Sequence, residues 1–263
     1  MISNAIKKLA IGKKMRNQIF IVVLVLLLSK PSKATLPLCS NGRSVVITSS
    51  CRFTPGEHNH TSLDIRSDVF LDTLSNNAIH TFIISGDFIL RSGAVLSVGY
   101  NQGSNTGAAP GNSGGSHGGR GGAESGKALE TNEAVPYGSS LVVNTTGSKG
   151  GNGGRGGGLL KIQASGVTID GTIRTNGEHG HRGKSGGGSG GGVAIHCTTL
   201  AGVGNVEVRG GLGRNYGGGG SGGRVSVDCS NDAFRGSFKV QGGKTEEDMV
   251  TLGIQSFSAS STK

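Results

Sequence analysis

The chain reads as all-β: a parallel β-solenoid, right-handed and β-helix-like, with long glycine-rich loops. Three features of the chain lead to this expectation. From Leu159 to Lys244 one pattern is written three times, with Leu160, Val193 and Val225 at the same place in successive units, 33 and then 32 residues apart. Within each unit, short segments alternate apolar and polar residues with a period of two, and no helical periodicity intervenes. Glycine supplies 51 of 263 residues, against a usual share of roughly 7%. A unit of this length cannot bury its apolar face alone, so it must stack on copies of itself.

Each unit opens with an alternating strand, turns, runs a second short strand that begins at Gly171, Gly204 or Gly236, and returns through glycine. Ile162, Ile195 and Val227 repeat on the first strand, and Ile173, Val206 and Phe238 repeat on the second. GAVLSVG at 93–99 matches GTIRTNG and GNVEVRG, so residues 80–99 read as an earlier unit and the solenoid spans 80–244. An insertion at about 100–158 interrupts it. That insertion is poor in apolar residues and is expected either to be mobile or to pack as glycine-rich strands on the flank, with SLVVNTT (140–146) as one added strand. Residues 35–79 read as N-terminal strands or a cap, and residues 245–263 as a tail that leaves the repeat.

The net charge of +10 resembles a nucleic-acid signal until it is located. Residues 1–34 hold seven basic residues and no acid, which leaves the remainder 19 basic against 16 acidic residues, a net +3. That leader joins a basic segment, the apolar run IFIVVLVLLL (19–28) and the small residues Ser32 and Ala34. It reads as a secretory signal peptide cleaved after Ala34, the apolar run being about half the roughly 20 residues that span a bilayer. The alternative is an uncleaved signal anchor, which would tie the chain to a membrane through the leader.

Beyond the leader stand four cysteines, an even number that fits an oxidising compartment. Cys197 and Cys229 occupy the same strand position in adjacent units, the place Ala164 fills one unit earlier, so both should point inward at one level and pair. Cys39 and Cys51 would then close the first hairpin. Sequons at Asn59-His60-Thr61 and Asn144-Thr145-Thr146 mark candidate N-glycosylation sites in polar context.

Other candidates carry less. The pairs His58/His60 and His179/His181 alternate as metal ligands can, but a third ligand is missing and both pairs read as exposed loop histidines. No metal or cofactor is expected, and the glycine-rich returns lack the periodic Asp of a calcium-binding repeat. Arg120 and Arg155 sit in GGRGG contexts that resemble RNA-binding segments, but they lack interleaved aromatics, and no nucleic-acid partner is expected. Glycoside-cleaving enzymes need two carboxylates roughly 5–9 Å apart. The outward ladder Arg174, Glu207, Lys239 puts one acid between two bases, and Asp228 falls beside His196, so no catalytic set is assigned.

GGSHGGRGG (114–122), PYGSS (136–140), GGRGGG (153–158), IDGTIRTNG (169–177), GGGSGGG (186–192) and GGGGSGGR (217–224), in this order, resemble the glycine-rich repeat region of large secreted or surface proteins of plants, protists and bacteria. The likeness spans about residues 80–244. It implies a β-helix-like fold and no established biochemical activity. The function expected is a secreted, non-catalytic structural or adhesive module whose partners would be extracellular matrix, cell wall or surface glycans. The alternative is a carbohydrate-binding or carbohydrate-active β-helix protein, lyase- or hydrolase-like.

Overall fold

The computed structural model describes residues 36–71, 78–101, 106–127, 135–139, 141–181, 183–245 and 258–259. The leader lies outside them, as does most of the tail. Sixteen strands follow one another: β1 Ser44–Ile47, β2 Cys51–Phe53, β3 Gly56–His60, β4 Ser62–Ile65, β5 Val69–Leu71, β6 Ile79–Leu90, β7 Val95–Val98, β8 Tyr100–Asn101, β9 Gly156–Gly157, β10 Leu159–Ile169, β11 Thr172–Arg174, β12 Gly192–Ala201, β13 Asn205–Glu207, β14 Arg224–Asp232, β15 Ser237–Lys239 and β16 Ser258–Ala259. No helix occurs among the described residues.

Two parallel sheets hold the apolar side chains between them. The larger runs β1-β4-β6-β10-β12-β14-β16, with β3 also paired to β6; the smaller runs β15-β13-β11-β7-β5-β2. The alternating pattern sets which residues face inward. Phe82, Phe88, Ile162, Ile169, Val193 and Leu200 come from the larger sheet and Leu71, Leu96, Ile173 and Val206 from the smaller, and all are buried in one apolar cluster. The predicted register holds, since Leu160 pairs Val193 and Val193 pairs Val225, while Ile173 lies between Leu96 and Val206. The tail re-enters this register, with Ser226 paired to Ser258. SLVVNTT forms no strand among its described residues, though Val143 is buried.

The right-handed β-solenoid is not what forms: the strands make stacked parallel sheets. In a solenoid each repeat touches only its neighbours in sequence. The segment 112–118 lies against 217–223, with the His117 amide donating to Ser221 Oγ at 2.8 Å across 104 residues.

The glycine-rich segments are not loops either; they form a buried layer of their own. Along 186–191 the amides of Gly186 and Ser189 donate to the carbonyls of Gly151 and Ser148. Those of Gly187 and Gly190 donate to Gly218 and Ser221, and those of Gly188 and Gly191 to Glu178 and Thr175. Every third residue thus faces the same neighbour, the threefold periodicity of a polyproline II-type backbone. A Cβ on Gly188 would overlap the carbonyl of Arg155, and one on Gly187 that of Gly211. The closeness of these backbones is what requires glycine. Their buried amides are satisfied by neighbouring segments rather than by water.

Candidate functional site

The outer face of the larger sheet carries a groove of about 750 Å³. It crosses the strands near the point where the β6–β10 register slips between Ala164 and Gly166. Period-two alternation turns Asn59, Ile83, Gln163, His196 and Asp228 to this face, and the register sets them side by side. Two residues further along each strand Ser85, Ser165, Thr198 and Ser230 make a second, exposed row. Ser165 Oγ donates to the Ser85 carbonyl at 2.7 Å. Neighbouring strands are about 4.8 Å apart, so the groove presents hydroxyls and amides at that interval.

At its far end His196 Nδ1 lies 3.0 Å from Asp228 Oδ2, as the register predicts, with both side chains about two-thirds or more exposed. Water screens such a pair, which limits its worth to about 0–1 kcal/mol. A histidine activated for catalysis needs a nucleophile on its other nitrogen. Among the described residues, Asp228 is the one partner of this ring. No group of three or more histidines, cysteines or acids with metal-binding geometry occurs among the described residues.

The other predicted positions fall as follows. Cys197 and Cys229 are bonded, directly opposite in the β12–β14 register, and Cys39 is bonded to Cys51. Such bonds fit an oxidising environment. Asn59 and Asn144 are both exposed. Glu207 receives Arg174 at 3.1 Å and Lys239 at 3.2 Å, with Arg209 at 4.0 Å. Burial pushes the Glu207 carboxyl up, but the hydrogen bonds from Arg174 and Lys239 outweigh it and hold it below the ordinary range. Arg155 is held by Glu178 at 2.7 Å and stands over the Tyr100 ring. Glu178 falls to about 2, because those Arg155 hydrogen bonds, with a further one from His181, overcome the upward push of burial.

Two sequence readings of histidine divide. His179 and His181 are exposed, His179 accepting the Leu212 amide at 2.8 Å and His181 meeting Glu178 at 3.1 Å. His58 and His60 are not loop residues but lie on β3 with their rings buried beside Phe53 and Phe82. Their alternation, which suggests a shared exposed face, places them together on the inner one. Desolvation, reinforced by the nearby His60, lowers the pKa of His58.

His117 was missed altogether. It is fully buried in the glycine layer, with Nδ1 2.8 Å from the Gly190 carbonyl and Nε2 2.9 Å from Thr145 Oγ1. A carbonyl only accepts, so Nδ1 donates, while the threonine hydroxyl can either give to or take from Nε2. Desolvation lowers its pKa to about 4. Its ring meets that of Tyr137 at 4.9 Å, and buried Arg224 donates to the backbone carbonyls of both residues. GGSHGGRGG and PYGSS, two motifs separated in the chain, therefore meet here; their side chains were the available signal.

A scan of family models, curated proteins and solved structures finds no match for this chain. Among the described residues no helix is long and apolar enough to cross a membrane.

Proposed function

We propose that the chain is a secreted, non-catalytic structural or adhesive module of the extracellular space. The observation that carries this reading is how the interior is built. One disulfide ties β12 to β14 and the other ties the N-terminal segment to β2, and a glycine layer bonded backbone to backbone leaves few side chains free for chemistry. Such an interior suits a rigid spacer or platform in an oxidising medium. Its partners would be matrix, wall or surface glycans, and nucleic acid is not among them. Attachment to a membrane would come only through an uncleaved leader.

A carbohydrate-binding role is the second reading, favoured by the hydroxyl and amide rows of the outer groove. One experiment separates the two. The chain is secreted from a eukaryotic host, its N-terminus sequenced, and the product screened on a glycan array and for depolymerisation of a polysaccharide panel. A mature N-terminus at Thr35 with no depolymerisation is expected. Cleavage activity lost on Asp228→Asn or Glu207→Gln would overturn the non-catalytic reading.

A further inference from the structure

We infer that the outer groove of the larger sheet is the seat of this chain's own N-linked glycan, attached at Asn59 and laid across the strands toward His196 and Asp228. The inference rests on the secreted reading above, since attachment requires passage through a glycosylating compartment.

The geometry comes first. Asn59 is exposed on β3, and its side chain lines one end of the groove. Its Nδ2 donates to Glu57 Oε1 at 2.9 Å. Attachment forms a bond from Nδ2 to the first sugar's C1, breaks the C1–O bond to a lipid diphosphate donor, and releases one Nδ2 proton. One N–H remains, enough to keep the Glu57 contact. Next to Asn59 in register is Ile83, a half-buried apolar step against which a sugar's C–H face can rest. Beyond it come Gln163 with Ser165, and then His196 with Thr198, donors and acceptors without a dominant charge.

Magnitude decides between a free and a tethered occupant. Among the groove-lining residues there is no tyrosine, phenylalanine or tryptophan to stack on a sugar ring, and the groove is open to water. Each hydrogen bond there nets only about 0.5–1.5 kcal/mol. A free saccharide would need to recover its lost translational freedom from those bonds alone. A glycan held by a short linker is present at an effective concentration of about millimolar, so weak rows of hydroxyls suffice. Position gives the arrangement a use. Among the described residues no strand other than β6 pairs with β3, and a glycan rooted there hinders strand addition at that edge.

The test compares Asn59 with Asn144, the other exposed sequon, on the full chain secreted from a eukaryotic line. Glycopeptide mass spectrometry reads occupancy, and a peptide-N-glycosidase is then applied to native and to denatured protein. We expect Asn59 to be occupied and its glycan to be released at least tenfold more slowly than a reference glycan on the native protein, at Asn144 or at a sequon engineered on another exposed loop. Denaturation should close the gap. Thr198→Arg blocks the groove from an exposed position; with the Cys197–Cys229 bond confirmed intact, it should bring the Asn59 rate to that of the reference. An unoccupied Asn59, equal native rates, or protection unchanged in T198R overturns the inference. An unoccupied Asn59 on a secreted, disulfide-bonded chain leaves the module reading standing, whereas a chain retained without glycan in the cytosol overturns both.

Discussion

The two parallel sheets and the glycine layer fill the interior in opposite ways. Between the sheets, apolar side chains such as Phe82, Ile162 and Ile195 meet, and the backbones stay a side chain apart. In the glycine layer the backbones themselves meet, and what is buried is peptide, with its amides donated to neighbouring carbonyls. The first kind of interior tolerates changes of shape, because volume-conserving swaps usually cost less than about 1.5 kcal/mol. In the second a single methyl group falls on a carbonyl oxygen. Robustness to substitution therefore differs between halves of one molecule for a steric reason, and not according to which half is more apolar.

The most damaging substitution falls in the glycine layer. Gly188→Val puts a branched side chain onto the Arg155 carbonyl at a buried position. The expected outcome is loss of the folded, secreted product, read as secretion yield and by urea unfolding of whatever is recovered. A variant that unfolds at the wild-type midpoint would show that the layer can part without cost.

Next comes the Cys197–Cys229 bond, which closes a 32-residue separation between β12 and β14. In the chain-entropy model it contributes about 3–4 kcal/mol. The double Cys→Ser variant should lose about that much in denaturant unfolding, and unreduced peptide maps of the wild type should recover Cys197–Cys229 and Cys39–Cys51 as separate pairs.

Acid should separate the regions further. His117 is neutral inside the glycine layer, with a pKa lowered from 6.5 to about 4. Its contribution is fully present above the unfolded value of about 6.5 and is lost as pH falls toward 4, where the unfolded chain binds a proton that the folded chain refuses. The loss is on the order of 3 kcal/mol. Urea midpoints measured from pH 7 to pH 4 should fall accordingly, and a folded His117→Gln variant should show a shallower slope. Some slope should remain from His58, whose pKa is lowered in the same direction.

The smallest effect belongs to the sheets. Ile195→Val removes one buried methylene from β12 and should cost only about 0.5–1.5 kcal/mol in the same assay. A cost matching that of the glycine variant would erase the contrast.

What depends on local periodicity is legible in the chain. Alternation and the 33- and 32-residue spacing were enough to place Val193 beside Leu160 and Cys197 opposite Cys229, and to line up the ladder Arg174–Glu207–Lys239. Strand register is a matter of counting, and a slip of one residue would turn every apolar side chain outward. That these strands make stacked sheets rather than a solenoid, that His58 and His60 face inward, and that the glycines form an interior depends on long-range packing. Glycine carries no side chain from which a partner can be read, and a threefold backbone turns successive residues toward three different neighbours. Those neighbours are set by contacts such as His117 with Ser221, 104 residues apart, which no local pattern encodes.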